Sequence, residues 1–129
     1  MRSRAKQKGR AEKGSFFALP HNILESDEYV MLSAIGVKLL IDLCSQYRGK
    51  NNGDLCLAWK IMERRGWRSR DTLLRAQYEL EEKGWIERTR QGGRNKANLF
   101  ALSWLGIDEC KGKLDVRASV SPSNKWKCP

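Results

Sequence analysis

Cations with a directed geometry gather in two short stretches of this 129-residue chain: Arg68, Arg70 and Arg75 around Thr72, and Arg88, Arg90, Arg94 and Lys96 further on. A guanidinium is a planar fork that can donate two parallel hydrogen bonds to O6 and N7 of guanine, whereas an ammonium acts as a point charge on a phosphate. The chemistry on offer is recognition of a polyanion rather than the making of bonds. His21 is the only histidine and stands beside Pro20, so a serine or cysteine nucleophile would lack a positioned base. Neither a His pair nor a carboxylate cluster of the kind that metal nucleases need is present, and no phosphate-binding glycine loop is found. The chain is read as a non-enzyme with no cofactor and no metal.

These side chains need a platform, and the stretch from Trp67 to Trp104 carries the signals for one. Ser69 is placed to cap a helix over residues 69–83, and Asp71 puts a negative charge at its positive end. Leu73, Ala76 and Leu80 recur at helical spacing, and Gly84 after Lys83 suits the left-handed position that ends a helix. Trp85 to Arg90 then reads as one strand and Ala97 to Trp104 as its partner, with Phe100, Leu102 and Trp104 alternating onto a buried face. Gly92, Gly93, Arg94, Asn95 and Lys96 form the turn between them, a cationic hairpin tip. Arg70, Thr72 and Arg75 fall on the side of the helix away from its apolar stripe, with Arg70 and Arg75 suited to bases and Arg68, ahead of the cap, to a phosphate. The competing reading for Arg75 is a surface ion pair with Asp71 or Glu79. Tyr78 either packs on the first helix or stands beside the groove. Arg88 and Arg90, one strand period apart, are expected on the same face. If Ile86 buries that face, Arg88 pairs with Glu82 or Glu87 instead.

The remaining chain supplies the support. Met1 to Gly14 has a net charge of +5 from Arg2, Arg4, Lys6, Lys8, Arg10 and Lys13 against Glu12. It is expected to be a disordered basic arm that tracks phosphates or enters a minor groove, the bland alternative being a solvated tail. Residues 15–105 form the domain. Its lead-in, Phe16 to Leu32, predicts a short strand or extended segment and one or two helical turns that cover the core. Ser33 caps a first long helix running to Arg48 and stopped by Gly49, with Ile35, Leu39, Leu40, Leu43, Cys44 and Tyr47 on adjacent faces. Asp54 to Leu57 is a short third strand, and Trp59, Ile61 and Met62 mark a second helix closed by Arg64, Arg65 and Gly66. Residues 106–129 show no period and are expected to be an irregular tail, mostly disordered from Val120 on.

The order of these elements carries a resemblance. Leu80-Glu81-Glu82-Lys83-Gly84-Trp85-Ile86-Glu87-Arg88, after an Arg-rich helix start and before a basic hairpin, resembles the winged helix-turn-helix superfamily of DNA-binding domains over roughly residues 33–104. The whole chain is similar to small winged-helix proteins of proteobacterial phages and integrated mobile elements. The resemblance implies an α+β fold with three main helices, a small antiparallel sheet and a β-hairpin wing. It also implies that the helix 69–83 reads the major groove while the wing, residues 91–96, meets phosphates or the minor groove. Arg68, Ser69, Arg70, Thr72, Arg75, Arg88, Arg90, Arg94 and Lys96 are then the DNA-binding set.

Bulk composition agrees with such a partner. A formal net charge of +10 concentrates a polyanion around the chain, while 40% hydrophobic residues with five Trp allow a real core. Cys44, Cys56, Cys110 and Cys128 are too far apart for a zinc knuckle; they read as reduced thiols, with Cys44 and Cys56 as small core residues. No apolar run is long enough for a membrane span, so no membrane is expected, and the charge together with the resemblance makes double-stranded DNA the expected partner, in the cytoplasm at the nucleoid. A weak or DNA-dependent homodimer is expected. The functional readings are a transcriptional regulator or replication accessory of a mobile element, a protein–protein inhibitor or adaptor on the same scaffold that meets a host protein partner, and an RNA-binding protein. The last is disfavoured because the strand aromatics are expected to be buried rather than free to stack on bases.

Overall fold

The computed structural model describes residues 14–127, and its core is built where two helices, α3 (Ala34–Cys44) and α5 (Arg70–Glu82), pack together. Each starts at a serine whose hydroxyl accepts a hydrogen bond from the amide three residues on, Ser33 from Gly36 at 3.1 Å and Ser69 from Thr72 at 3.2 Å. Leu39, Leu40 and Leu43 of α3 meet the expected α5 stripe of Leu73, Ala76 and Leu80, all buried. One carboxylate ties the helices at their ends. Glu79 of α5 accepts from the amide of Ser33 at 2.9 Å and from its hydroxyl, and pairs with Lys83 at 3.2 Å. Burial works against the charge of Glu79, but the Ser33 donors and Lys83 outweigh it and hold its carboxyl below its ordinary value.

α3 is shorter than expected, ending at Cys44 rather than reaching Arg48. The reason is side-chain competition for the backbone beyond it. Asn51 donates to the carbonyl of Gln46 at 2.9 Å and accepts from the amide of Arg48 at 2.7 Å. The Gln46 amide in turn pairs with both backbone groups of Cys56 at 2.8 Å, so the chain leaves the helix to reach the sheet. Gly49 (φ 102) lies in the loop beyond, not at the helix end. Ahead of α3, the lead-in forms two single-turn helices, α1 (His21–Leu24) and α2 (Asp27–Val30), which place Ile23 and Leu32 in the core.

Three antiparallel strands, β1 (Leu55–Cys56), β2 (Ile86–Arg90) and β3 (Leu99–Leu102), lie in the order β1-β3-β2. The expected third strand at 54–57 is therefore present, beside β3. Arg88 is opposite Phe100 and Arg90 opposite Leu99, which leaves Thr89 as an extra residue in β2. Cross-strand partners share a face and neighbours along a strand do not, so Arg88 and Arg90 project from opposite faces. The same-face expectation fails because it assumed an unbroken pleat. Thr89 is buried and donates its hydroxyl to the carbonyl of Gly53 at 2.5 Å. Leu99 and Ala101 are buried together with Phe100 and Leu102, so β3 is covered on both faces rather than one. Beside its end, the fully buried Asn52 acts as a further piece of sheet: its amide donates to the carbonyls of Leu102, Leu105 and Gly106, and its oxygen accepts from the amide of Leu102 at 2.8 Å.

The segment after Trp104 has little regular structure but is tied back to the sheet. The Asp115 amide donates to the carbonyl of Thr89 and the Asn124 amide to that of Ser103, both at 2.8 Å. The expectation of disorder from Val120 on does not hold for the described residues 120–127. Trp126 is 4% exposed and stacks on Trp85 with ring centres 5.1 Å apart. Gly84 makes this possible. Its φ of 79 ends α5, and a Cβ there would lie 2.4 Å from the carbonyl oxygen of Lys125. Among the described residues no helix is long and apolar enough to cross a membrane. Cys44 is buried as expected, whereas Cys56 on β1 is only half-buried. Residues 1–13 of the basic arm 1–14, and Cys128, lie outside the described residues.

Candidate nucleic-acid interface

The helix α4 (Trp59–Arg64) and the start of α5 are joined by a turn through Gly66, and a single buried carboxylate on α3 holds that turn. Asp42 is 4% exposed. It accepts from the indole Nε1 of Trp67 at 2.8 Å, from Nη2 and Nε of Arg65 at 3.0 and 3.2 Å, and from Nζ of Lys38 at 3.2 Å. Lys38 also donates to the carbonyl of Arg65 at 2.8 Å. A buried carboxylate needs its lone pairs filled, and here the donors that fill them come from both sides of the turn. The angle at which α5 leaves the domain is thus set from α3.

On that platform the expected residues sit as follows. Arg68 and Ser69 are exposed, and Ser69 is the cap described above. Arg70 is exposed, with its guanidinium carbon 5.4 Å from the centre of the Trp59 ring. Thr72 is half-buried and accepts from Nη2 of Arg75 at 3.4 Å. Arg75 pairs with Asp71 at 3.4 Å, with side chains 63% and 83% exposed. An exposed pair four residues apart on a helix contributes about 0.3–0.5 kcal/mol, little enough to be exchanged for another acceptor. Tyr78 stands on the outer face of α5, 56% exposed, with Leu74 one turn before it at 42%. Sequence reasoning passed over Leu74 because exposed apolar residues are common and carry no signal of their own.

The hairpin tip is a tight turn. Gly93 and Lys96 exchange backbone hydrogen bonds of 2.9 and 3.2 Å, leaving Arg94 and Asn95 at the apex. Asn95, not either glycine, takes the left-handed conformation, with φ 59. Gly92 is required for a different reason: a Cβ there would lie 2.4 Å from the carbonyl oxygen of Lys96. Arg94 and Lys96 are exposed. Arg88 and Arg90 are not free in the same way. Arg88 donates to Glu81 at 2.9 Å and to Gln91 at 3.1 Å, and lies over the Phe100 ring. Its partner is neither Glu82 nor Glu87, because Glu81 is the acidic residue on the sheet-facing side of α5, where Gln77 also reaches it at 3.2 Å. Arg90 folds back onto the carbonyl of Ala97, with Nη2 at 2.8 Å.

Between α5 and the hairpin runs an open trough of about 390 Å³, lined by Gln77 of α5, by Gln91, Gly93, Lys96 and Asn98 of the hairpin, and by Leu57 and Ala58. The hairpin tip reaches this trough through Lys96, and none of Arg68, Arg70, Thr72 and Arg75 lines it; Arg68 lines a separate hollow with Trp59, Glu63, Gly66 and Trp67. The aromatics of the strand region, Phe100 and Trp104, are buried. Two members of the arrangement were invisible in the sequence. Asp42 had one weak signal, an acidic residue in an otherwise apolar helix with Lys38 one turn before it. Trp59 had none beyond being aromatic. No family model, curated protein or solved structure matches the chain.

Proposed function

We propose that the protein binds double-stranded DNA as a winged helix-turn-helix domain, with α4 and α5 as the helix-turn-helix pair, α5 presented to the major groove and the β2–β3 hairpin as the wing. The observation that carries the reading is the disposition of the uncommitted cations. Arg68, Arg70, Arg94 and Lys96 are exposed, the first two around the start of α5 and the last two on the hairpin tip, while Arg88 and Arg90 are held within the fold. A duplex offers matching demands: base edges to a helix and phosphates to a cationic hairpin tip. Arg70 and Arg75 read bases; Arg68, Arg94 and Lys96 contact phosphates. The role is that of a transcriptional regulator or replication accessory of a mobile element, acting at the nucleoid as a weak or DNA-dependent homodimer. Retardation of random duplex DNA at moderate salt tests this. A mobility shift is expected, and no shift even at low salt would remove the reading.

One observation favours a second reading, a protein partner: Leu74 and Tyr78 give the outer face of α5 an apolar pair that pure phosphate binding does not need. That partner would have to be acidic to suit the flanking arginines. Loss of duplex binding together with retained binding to an acidic protein would transfer the face to that role.

A further inference from the structure

Arg70 and Arg75 are both base-reading candidates, and their surroundings differ in a way that ranks them. Arg75 already spends donors within its own helix, on Asp71 and on the hydroxyl of Thr72. Arg70 has no hydrogen-bond or ion-pair partner among the described residues; its guanidinium carbon lies over the Trp59 ring at 5.4 Å. A ring face attracts the charge of a guanidinium without occupying any of its five N–H donors. The ring is itself fixed. Trp59 opens α4, is half-buried and packs against the core, and α4 runs into Arg65, which is anchored on Asp42. An otherwise free arginine loses side-chain entropy on docking, and a surface that restricts it beforehand reduces that loss.

Building on the duplex reading above, we infer that Arg70 is the principal base-reading residue and that Trp59 is its positioning residue, holding the guanidinium at the start of α5 with its donors free. Arg75 is secondary, since it must first release Asp71. Trp59 touches no DNA in this arrangement and acts only through Arg70.

The test uses the full chain, a duplex that the wild-type protein selects from a random pool, and the same duplex with its sequence shuffled. The readout is the ratio of the two affinities. Arg70→Ala should lower the ratio about 5- to 150-fold, the range for losing one bidentate base contact. Trp59→Leu should lower it about 2- to 5-fold, the range for an exposed cation–ring contact, and Trp59→Phe should restore most of that loss. In an Arg70→Ala background, Trp59→Leu should have no further effect on the ratio. In the free protein, the Arg70 Nε proton should show an upfield ring-current shift that Trp59→Leu abolishes, which tests the contact without DNA. Equal effects of Trp59→Leu with and without Arg70, or a larger loss from Arg75→Ala than from Arg70→Ala, would overturn the assignment while leaving the duplex reading intact. Absence of any duplex binding by the wild type would overturn both.

Discussion

Asp42→Ala removes the acceptor that joins α3 to the α4–α5 turn, and its cost can be built from the three donors it strands. The indole N–H of Trp67 is the expensive one, because Trp67 is 5% exposed and has no other acceptor among the described residues; an orphaned buried donor costs about 1–3 kcal/mol. Lys38 and Arg65 have side chains 45% and 46% exposed, so water replaces their partner and each loses only about 0.5 kcal/mol. The expected total is roughly 2–4 kcal/mol, a large share of the roughly 5–15 kcal/mol that stabilises a domain. Asp42→Asn keeps an oxygen for the indole but loses the charge, and should fall between the variant and the wild type. Urea titration at neutral pH measures this, with an unchanged slope and a lower midpoint. If Asp42→Ala lies within about 0.5 kcal/mol of wild type, the ordinary effect of a surface substitution, the hub does not hold the turn.

Because the carboxyl of Glu79 is held below its ordinary value, its contribution should be fully present above about pH 4.5 and lost as the pH falls through the folded value. The stability difference between wild type and Glu79→Gln should therefore shrink on acidification, and a difference that grows would contradict the Ser33–Glu79 link. Trp126→Ala should cost about 3–5 kcal/mol, as for other buried large aromatics, whereas a freely disordered end would make it neutral in the same urea titration. Burial pushes the Cys44 thiol up to about 12, so it should resist alkylation in the native protein at pH 8 and label fully in denaturant. Labelling of Cys44 in the native protein at the rate of an exposed thiol would show that α3 is not packed as described.

What could be read in the sequence is what neighbours along the chain decide. Ser33 and Ser69 are caps because the hydroxyl and the amide it serves are three residues apart, and Leu73, Ala76 and Leu80 form a stripe by helical spacing alone. The hairpin was legible from its glycines, although the φ above zero falls to Asn95 and Gly92 is needed for close approach. What stayed hidden depends on partners distant in sequence. The end of α3 is decided by Asn51 and by the pairing of Gln46 with Cys56, neither of which alters a periodicity. The bulge at Thr89 requires knowing that Arg88 faces Phe100 while Arg90 faces Leu99, and it separates two arginines that strand spacing places together. Asn52 has no local signal in the sequence, yet it is fully buried and its side chain makes four hydrogen bonds to a segment some fifty residues away. Trp126 is a single aromatic without a pattern, and only the space left by Gly84 shows where it goes.

The salt dependence of duplex affinity tests the central claim most directly, because counterion release is the signature of cations on phosphates. If Arg68, Arg94, Lys96 and part of the basic arm contact the backbone, about five neutralised phosphates give a slope of log Kobs against log salt near −4 to −5. Arg94→Ala should weaken selected and shuffled duplexes alike and flatten that slope by about one, while Arg70→Ala should act mainly on the selected duplex. A slope near zero, or an Arg94→Ala protein with altered sequence preference and an unchanged slope, would contradict the assignment of α5 as reader and the hairpin as wing.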